Sequence, residues 1–240
     1  MVVHILGPDG TEFSINRSIA HVGFGLKGEE VRLFNADAFE SLSLADNDIV
    51  FGGIVFAHRA MERLGISVPA LDPIPAELIP HAGRKIWRST MGAVRTLVGK
   101  SEAVFVKPLP QRHKLFGGQL LSSFRDLIPT AGVSDTEEVE CAEPIEFLSE
   151  YRCFVLDGKL LGVRHYKGDP LLFPDAEAIR RALDAFTSAP AGYALDIGVT
   201  KDNQTLVVEI NDGYSSAAYG LPPMRYASVI AARWEELRQF

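Results

Sequence analysis

Hydrophobic and polar positions alternate most clearly between residues 193 and 211. Residues 193–199, YALDIGV, carry β-branched residues in near alternation and predict a strand. Lys201-Asp202-Asn203-Gln204 is a polar turn, and Asp-Asn tolerates the left-handed backbone that a tight hairpin needs. Residues 205–211, TLVVEIN, predict a second strand, antiparallel to the first. Strand side chains alternate faces, so Glu209 and Asn211 share one side. The same alternation sends Leu206, Val208 and Ile210 to the other, into apolar packing. A turn centred near Asp202-Asn203 places Asp196 opposite Glu209 to within a residue.

The rest of the chain divides by period. Residues 31–34 and 48–51 are short apolar strands, and Gly52-Gly53 opens a helix over 54–64 with apolar positions 54, 55, 57, 61 and 64. Gly65 ends that helix and residues 66–69 follow as a strand. The glycine pair could approach a ligand closely, but it is also the simplest way to make a strand-to-helix turn. Pro69, Pro73, Pro75 and Pro80 mark a linker over 70–80. Residues 83–97 predict a helix with Ile86, Met91, Val94 and Leu97 on its apolar face, and Val98 continues that face. Residues 103–108, AVFVKP, predict a strand that delivers Lys107 at its end, where proline stops it. Residues 150–156 and 159–167 flank an Asp157-Gly158 turn and form a second hairpin carrying Arg152 and Arg164. Their facing depends on the register. Asp175 caps a helix over 176–188 with apolar positions Ile179, Leu183 and Phe186, and a last helix over 223–239 reads as packing.

Composition narrows the function. The chain has 240 residues, 47% hydrophobic and 23% charged, which suits one or two ordinary domains with a real core. A formal charge of −7 disfavours nucleic acid as a partner. Cys141 and Cys153 fit neither a metal-ligand spacing nor a disulfide framework and suit a reducing compartment, so a cytoplasmic location is expected. The first ten residues lack the features of a signal peptide, and no apolar run approaches ~18 residues, so no membrane association is expected.

Asp196, Glu209 and Asn211 bring three hard oxygen side chains to one face, which is what Mg²⁺ needs alongside phosphate and water. Carboxylates inside apolar strands are costly unless paired, which favours a metal over a solvated hairpin face. Asp in one strand and Glu-x-Asn in the next resembles the metal-binding end of the ATP-grasp superfamily. The order of the remaining features agrees: Lys-Pro strand, glycine loop, acidic hinge, Arg–Arg hairpin, then Asp and Glu-x-Asn. The resemblance covers residues 81–220 well and the first 80 loosely. It implies an α/β chain of α+β lobes: a small α/β domain over 1–80, then an ATP-grasp domain over 81–240 with its hinge near 140–147.

What the resemblance implies for the site is specific. Asp196, Glu209 and Asn211 would hold Mg²⁺ against the ATP phosphates. Lys107 would meet the α-phosphate, and Arg84 or Lys85 would serve as a further phosphate contact at a helix start. Lys114, with Arg112 beside it, would lie in a flexible loop running into Gly117-Gly118. His113 reads as a polar loop residue. Glu143 and the Ile145 backbone would hold adenine, and Glu150 the ribose. Six of the 14 residues from 137 to 150 are glutamate, so a plain acidic surface patch is an equal alternative there. Arg152, Arg164 and either Lys107 or Lys167 fit a clade marked by two arginines and a lysine. Asp212 to Ser216 would be a substrate-side loop. The implied reaction joins a small-molecule or peptide carboxylate to an amine through an acyl phosphate, giving ADP and phosphate. A non-catalytic ATP-binding module, a nucleic-acid end-joining ligase and a structural or partner-binding protein are the alternatives.

Overall fold

The computed structural model describes residues 1–8, 14–68, 72–109 and 115–239. Three sheets organise it. The first is parallel, with β1 (Val2–Leu6) between β2 (Glu30–Phe34) and β3 (Ile49–Phe51). Helices α1 (Ile15–Leu26) and α2 (Ile54–Arg63) complete this α/β unit. The strand β1 and helix α1 were not evident in the hydrophobic pattern; β1 is a run of five residues with no turn signal ahead of it. Gly52 and Gly53 serve the turn into α2. A Cβ on Gly52 would stand 2.9 Å from the Leu6 side chain, and Gly53 sits at φ +89°. The expected strand over 66–69 does not form: residues 66–68 lack regular structure, and Pro69 lies outside the described residues.

The second sheet is antiparallel in the order β4 (Ile86–Thr90), β7 (Glu138–Ala142), β5 (Val104–Pro108), β6 (Gln119–Leu121). The helix expected over 83–97 is a correction. Ile86 to Thr90 pair with Ala142 to Glu138 as a strand, and helix α3 spans Met91–Gly99. Aromatic and β-branched residues at 86, 87 and 90 favour that pairing. The Thr90 hydroxyl then accepts from the Ala93 N–H at 3.3 Å and starts the helix. Met91, Val94 and Val98 pack on Val104, Val106, Val139 and Cys141, covering one face of the sheet and leaving the other for Lys107 and Glu140.

The third sheet is antiparallel in the order β11 (Thr205–Asp212), β10 (Gly192–Thr200), β8 (Phe147–Leu156), β9 (Lys159–Gly168). Helix α4 (Ala176–Ala185) packs Ile179 and Ala182 on one face, against Cys153, Val155, Leu195 and Ile197. Asp175 caps it as expected, accepting from the Glu177 N–H at 2.9 Å. On the other face, Phe154 and Ala194 join a core with the first sheet and with Tyr226, Ile230 and Trp234 of helix α5 (Pro223–Leu237). Among the described residues no helix is long and apolar enough to cross a membrane.

Candidate active site

The two hairpins of the third sheet align four charged residues in a single row. Glu209 pairs with Asp196, Asp196 with Arg152, and Arg152 with Arg164 in the strand register. Two carboxylates and two guanidiniums thus lie side by side across four strands, a placement that only these registers allow. The face of the arginine pair, open from sequence, is therefore that of Asp196 and Glu209.

A bulge makes the acidic half possible. Between Asp196 and Ile197 the register of β10 on β11 shifts, so that Asp196 meets Glu209 and Ile197 meets Val207, leaving Val208 as the extra residue. This corrects the expected facing. Val207 and Ile210 enter the apolar core, whereas Leu206 and Val208 are only half-buried. Uniform alternation cannot put residues 207 and 210 on one side; the bulge does.

Asp196 is 2% exposed and is held by Arg152 in a bidentate pair, Nε to Oδ1 and Nη2 to Oδ2, both 2.7 Å. Burial pushes the Asp196 carboxyl up to about 6; Arg152 opposes that shift, and Glu209 and Glu150 add to it. Burial alone would lower the Arg152 guanidinium, yet the bonds to Asp196 outweigh it and raise it. We read the ionised pair as the state at neutral pH, because the fork geometry suits two charged partners. Asn211 Nδ2 donates to Asp196 Oδ2 at 3.1 Å and lies 3.5 Å from Glu209 Oε1.

Lys107 spans the two antiparallel sheets. Its Nζ is 3.2 Å from Glu140 Oε1 and 3.3 Å from Glu209 Oε2. Arg164 differs from Arg152: its Nε is buried with no hydrogen-bond partner, and among the described residues it forms no ion pair. Glu150 accepts from the Tyr166 hydroxyl at 2.7 Å and from the Lys167 ammonium. Burial, reinforced by Asp196 and Glu150, pushes the Tyr166 hydroxyl well above its ordinary range. Tyr166 stacks on Tyr219 with centroids 4.8 Å apart, and the Arg152 guanidinium lies 4.9 Å from the Tyr219 ring centre.

Other expected residues lie outside this row. Lys85 precedes a strand instead of starting a helix; its N–H donates to Glu143 Oε2 at 2.9 Å and its ammonium lies over Trp87. The Glu143 N–H donates to the Lys85 carbonyl at 3.0 Å, while Ile145 is half-buried between β7 and β8. Lys114, Arg112 and His113 lie outside the described residues. Cys141 and Cys153 are free, buried thiols, pushed up by burial to about 11 and about 12, and take no part in the row. Residues not anticipated at the site are Glu140, Tyr166, Tyr219 and Arg233. Arg233 pairs both oxygens of Asp212 at 2.8 and 2.9 Å, tying α5 to the end of β11. Its signal was readable: an arginine recurs at the spacing of Tyr226, Ile230, Trp234 and Leu237 on the buried helix face.

The donor set can be tested against Mg²⁺. Among the described residues no group of three or more His, Cys, Asp or Glu side chains is gathered for a metal. The hairpin instead offers two carboxylates bridged by the Asn211 amide, and a flip of that amide would present its oxygen. Arg152 uses one lone pair on each Asp196 oxygen and leaves others available. The set fits a hard cation.

Lys107, on one antiparallel sheet, thus reaches the Glu209 carboxylate of the other, in agreement with the ATP-grasp resemblance. A family model for the ATP-grasp domain, the second family of the clade named for two arginines and a lysine, matches residues 81–229. That is more than half of the chain, and the protein belongs to that family. ATP-grasp proteins use ATP. Solved structures share the fold over nearly the whole chain. D-alanine–D-alanine ligase from Bacillus anthracis is 15% identical with a TM-score of 0.60, covering 99% of this chain and 98% of that one. D-cycloserine synthetase DcsG is 14% identical with a TM-score of 0.61, covering 98% and 100%. The ATP-grasp ligase PsnB, solved with a minimal precursor, is 14% identical with a TM-score of 0.57, covering 98% and 99%. No curated protein matches the sequence.

Proposed function

We propose that this protein is an ATP-dependent ligase that joins a carboxylate to an amine through an acyl phosphate and releases ADP and phosphate. The observation that carries this reading is the row Glu209–Asp196–Arg152–Arg164 with Lys107 reaching Glu209 from the second sheet. Residues 1–80 would form the preceding domain and 140–147 the hinge. D-alanine–D-alanine ligase and PsnB share the fold and are ligases by name, which supports the reaction class and leaves amino acids and peptides as the first substrates to try.

Asp196, Glu209 and Asn211 would hold Mg²⁺, which when bound neutralises charge along the phosphates. Lys107 would turn from Glu209 to the α-phosphate, a task that suits a mobile point charge. Lys114, outside the described residues, would cover the phosphates with its loop. The Ile145 backbone beside Glu143 would meet adenine. Glu150, expected at the ribose, already accepts from Tyr166 and Lys167, one on each oxygen, and a ribose hydroxyl would use a remaining lone pair.

The two arginines divide the remaining work. Arg152 is committed to Asp196, so it orients a metal ligand. Arg164 has an open fork and would take the carboxylate substrate or the transferring phosphoryl, with Lys167 nearby as a second cation. A carboxylate oxygen attacks the γ-phosphorus and the bond to ADP breaks. The amine nitrogen then attacks the acyl carbon, phosphate leaves with the bonding pair, and the amine gives up a proton. No nucleophilic side chain is needed. Mass spectrometry of products from pooled amino acids and peptides with ATP tests this: a mass equal to two components less water is expected, and ATP-independent or absent coupling would count against it.

A further inference from the structure

Strand β11 is the outer strand of the third sheet, and its free edge is covered by the chain that leads into the second sheet. Pro73 O accepts from the Ile210 N–H at 2.7 Å. Gly83, at φ +62°, lies so close to Leu206 that a Cβ there would stand 2.6 Å from its side chain. Between them, Arg84 donates from Nη1 to Val207 O at 2.8 Å and from Nη2 to Val208 O at 2.9 Å. Nη1 also reaches Ala82 O at 3.0 Å, and the guanidinium lies 5.8 Å from the Phe147 ring centre.

The two carbonyls are the informative part. In a regular strand, successive carbonyls point to opposite edges, so one side chain on one edge cannot take both. A bulge turns two successive carbonyls to the same edge. Val207 and Val208 are the residues at the bulge, and the planar fork of Arg84 spans them. The sequence suggested Arg84 as a phosphate contact; its Nη atoms are instead engaged with the backbone.

We propose that Arg84 is a positioning residue for the metal-binding hairpin: its fork holds the bulge that sets Glu209 opposite Asp196. This rests on reading Asp196, Glu209 and Asn211 as the Mg²⁺ set. Were the bulge lost, Val208 would stand opposite Asp196, and the adjacent carboxylates would separate. Val207 and Ile210 also favour the bulge from the core side, so losing Arg84 should loosen the hairpin without unfolding it. The same strap joins Glu143 through Lys85, so the edge of β11 and the segment after β7 are linked by consecutive residues.

The test uses Arg84→Gln and Arg84→Lys in the full chain, with Mn²⁺ as the probe ion. Removing partners that orient metal ligands weakens binding by about 10-fold or more, and that loss is expected for Mn²⁺ in both variants, with metal-free ADP affinity retained. In metal-free protein, the Glu209 and Ile210 amides should exchange faster by about 10-fold while β8 and β10 keep their protection. Full rescue by lysine would show that charge, not the fork, matters, and would overturn the proposal. So would wild-type Mn²⁺ affinity in both variants, or exchange that rises equally throughout the sheet. Glu209→Gln measured alongside separates the causes. If it loses Mn²⁺ while the Arg84 variants do not, only the clamp is wrong; if it binds Mn²⁺ normally, the metal site itself is wrong.

Discussion

The two hairpins of the third sheet are built alike and held differently. Each has a turn residue in the left-handed region, Asp157 at φ 46° in one and Asn203 at φ 60° in the other, and each carries bulges. The acidic hairpin is immobilised: β10 is buried throughout, the outer edge of β11 is strapped by Pro73 and Arg84, and Asp212 is pinned by Arg233. The basic hairpin is tied on its inner strand by the grip of Arg152 on Asp196, and on its outer strand by the stacking of Tyr166 on Tyr219 and by Arg225, which donates to the Leu161 carbonyl. Its outer strand β9 ends the sheet half-exposed and offers Arg164 with a buried, unpartnered Nε. A metal needs its oxygens fixed within tight limits, whereas a substrate must enter and leave. The contrast supports the proposal that the acidic hairpin holds the metal and the basic one meets the ligand that changes.

The strongest way to break this comparison is Glu209→Gln, which removes a charge and keeps the shape. Turnover should fall by about 10³-fold with an unchanged melting temperature, because charge stabilisation at the transferring phosphoryl is lost. Unchanged activity would remove the acidic hairpin from the metal. The arginines come next. Arg164→Lys should lower turnover by about 10- to 100-fold, hurting ATP binding less than chemistry and stability hardly at all. Arg152→Lys should lower turnover too, and also cost about 3 kcal/mol of stability by breaking a buried bidentate pair. Equal melting temperatures for the two variants would erase the distinction between Arg152, committed to Asp196, and Arg164, left unpaired. Lys107→Ala should weaken nucleotide binding by about 10-fold and lower stability by about 1–3 kcal/mol, because it leaves the largely buried Glu140 carboxylate without its ion-pair partner. Titration calorimetry and thermal unfolding check both halves.

The smallest effect is a control outside the site. Asp48 is buried just before β3 of the first sheet, where it accepts from the Val2 N–H at 2.8 Å and the Ala45 N–H at 3.0 Å and meets His4 at 3.2 Å. Burial pushes its carboxyl up, but these bonds outweigh it and hold it below the usual 3.8. A depressed carboxyl stabilises the fold above its unfolded value and loses that contribution as pH falls through the lower folded value. Asp48→Asn should therefore cost about 1 kcal/mol near neutral pH with no change in turnover, and the difference should vanish in strong acid. A loss of turnover at full stability would connect the first sheet to the chemistry.

Local chemistry explains which parts were legible in the sequence. The 157–158 and 201–204 turns, the Asp175 cap and the Lys107-Pro108 strand end are encoded within a few residues, and each lies where it was expected. The turn places Asp196 opposite Glu209 only to within a residue, and the bulge completes that pairing. The Ile86–Thr90 strand was hidden because its partner, Glu138–Ala142, is about fifty residues away and overrides the helical spacing of the apolar residues around it. The bulge at Val208 was hidden because alternation assumes a regular pleat. The commitments of Arg152 to Asp196 and Arg84 to two carbonyls depend on strand order, which no spacing along the chain reveals.

The claim at the centre is that this row of charges moves the γ-phosphoryl of ATP to a carboxylate. Chromatography of the spent nucleotide, with and without a pool of amino acids and peptides, tests it most directly. ADP and phosphate should accumulate when a carboxylate substrate is present, with only a slow leak in its absence. AMP and pyrophosphate as the main products, or a covalent AMP adduct on the protein, would contradict it.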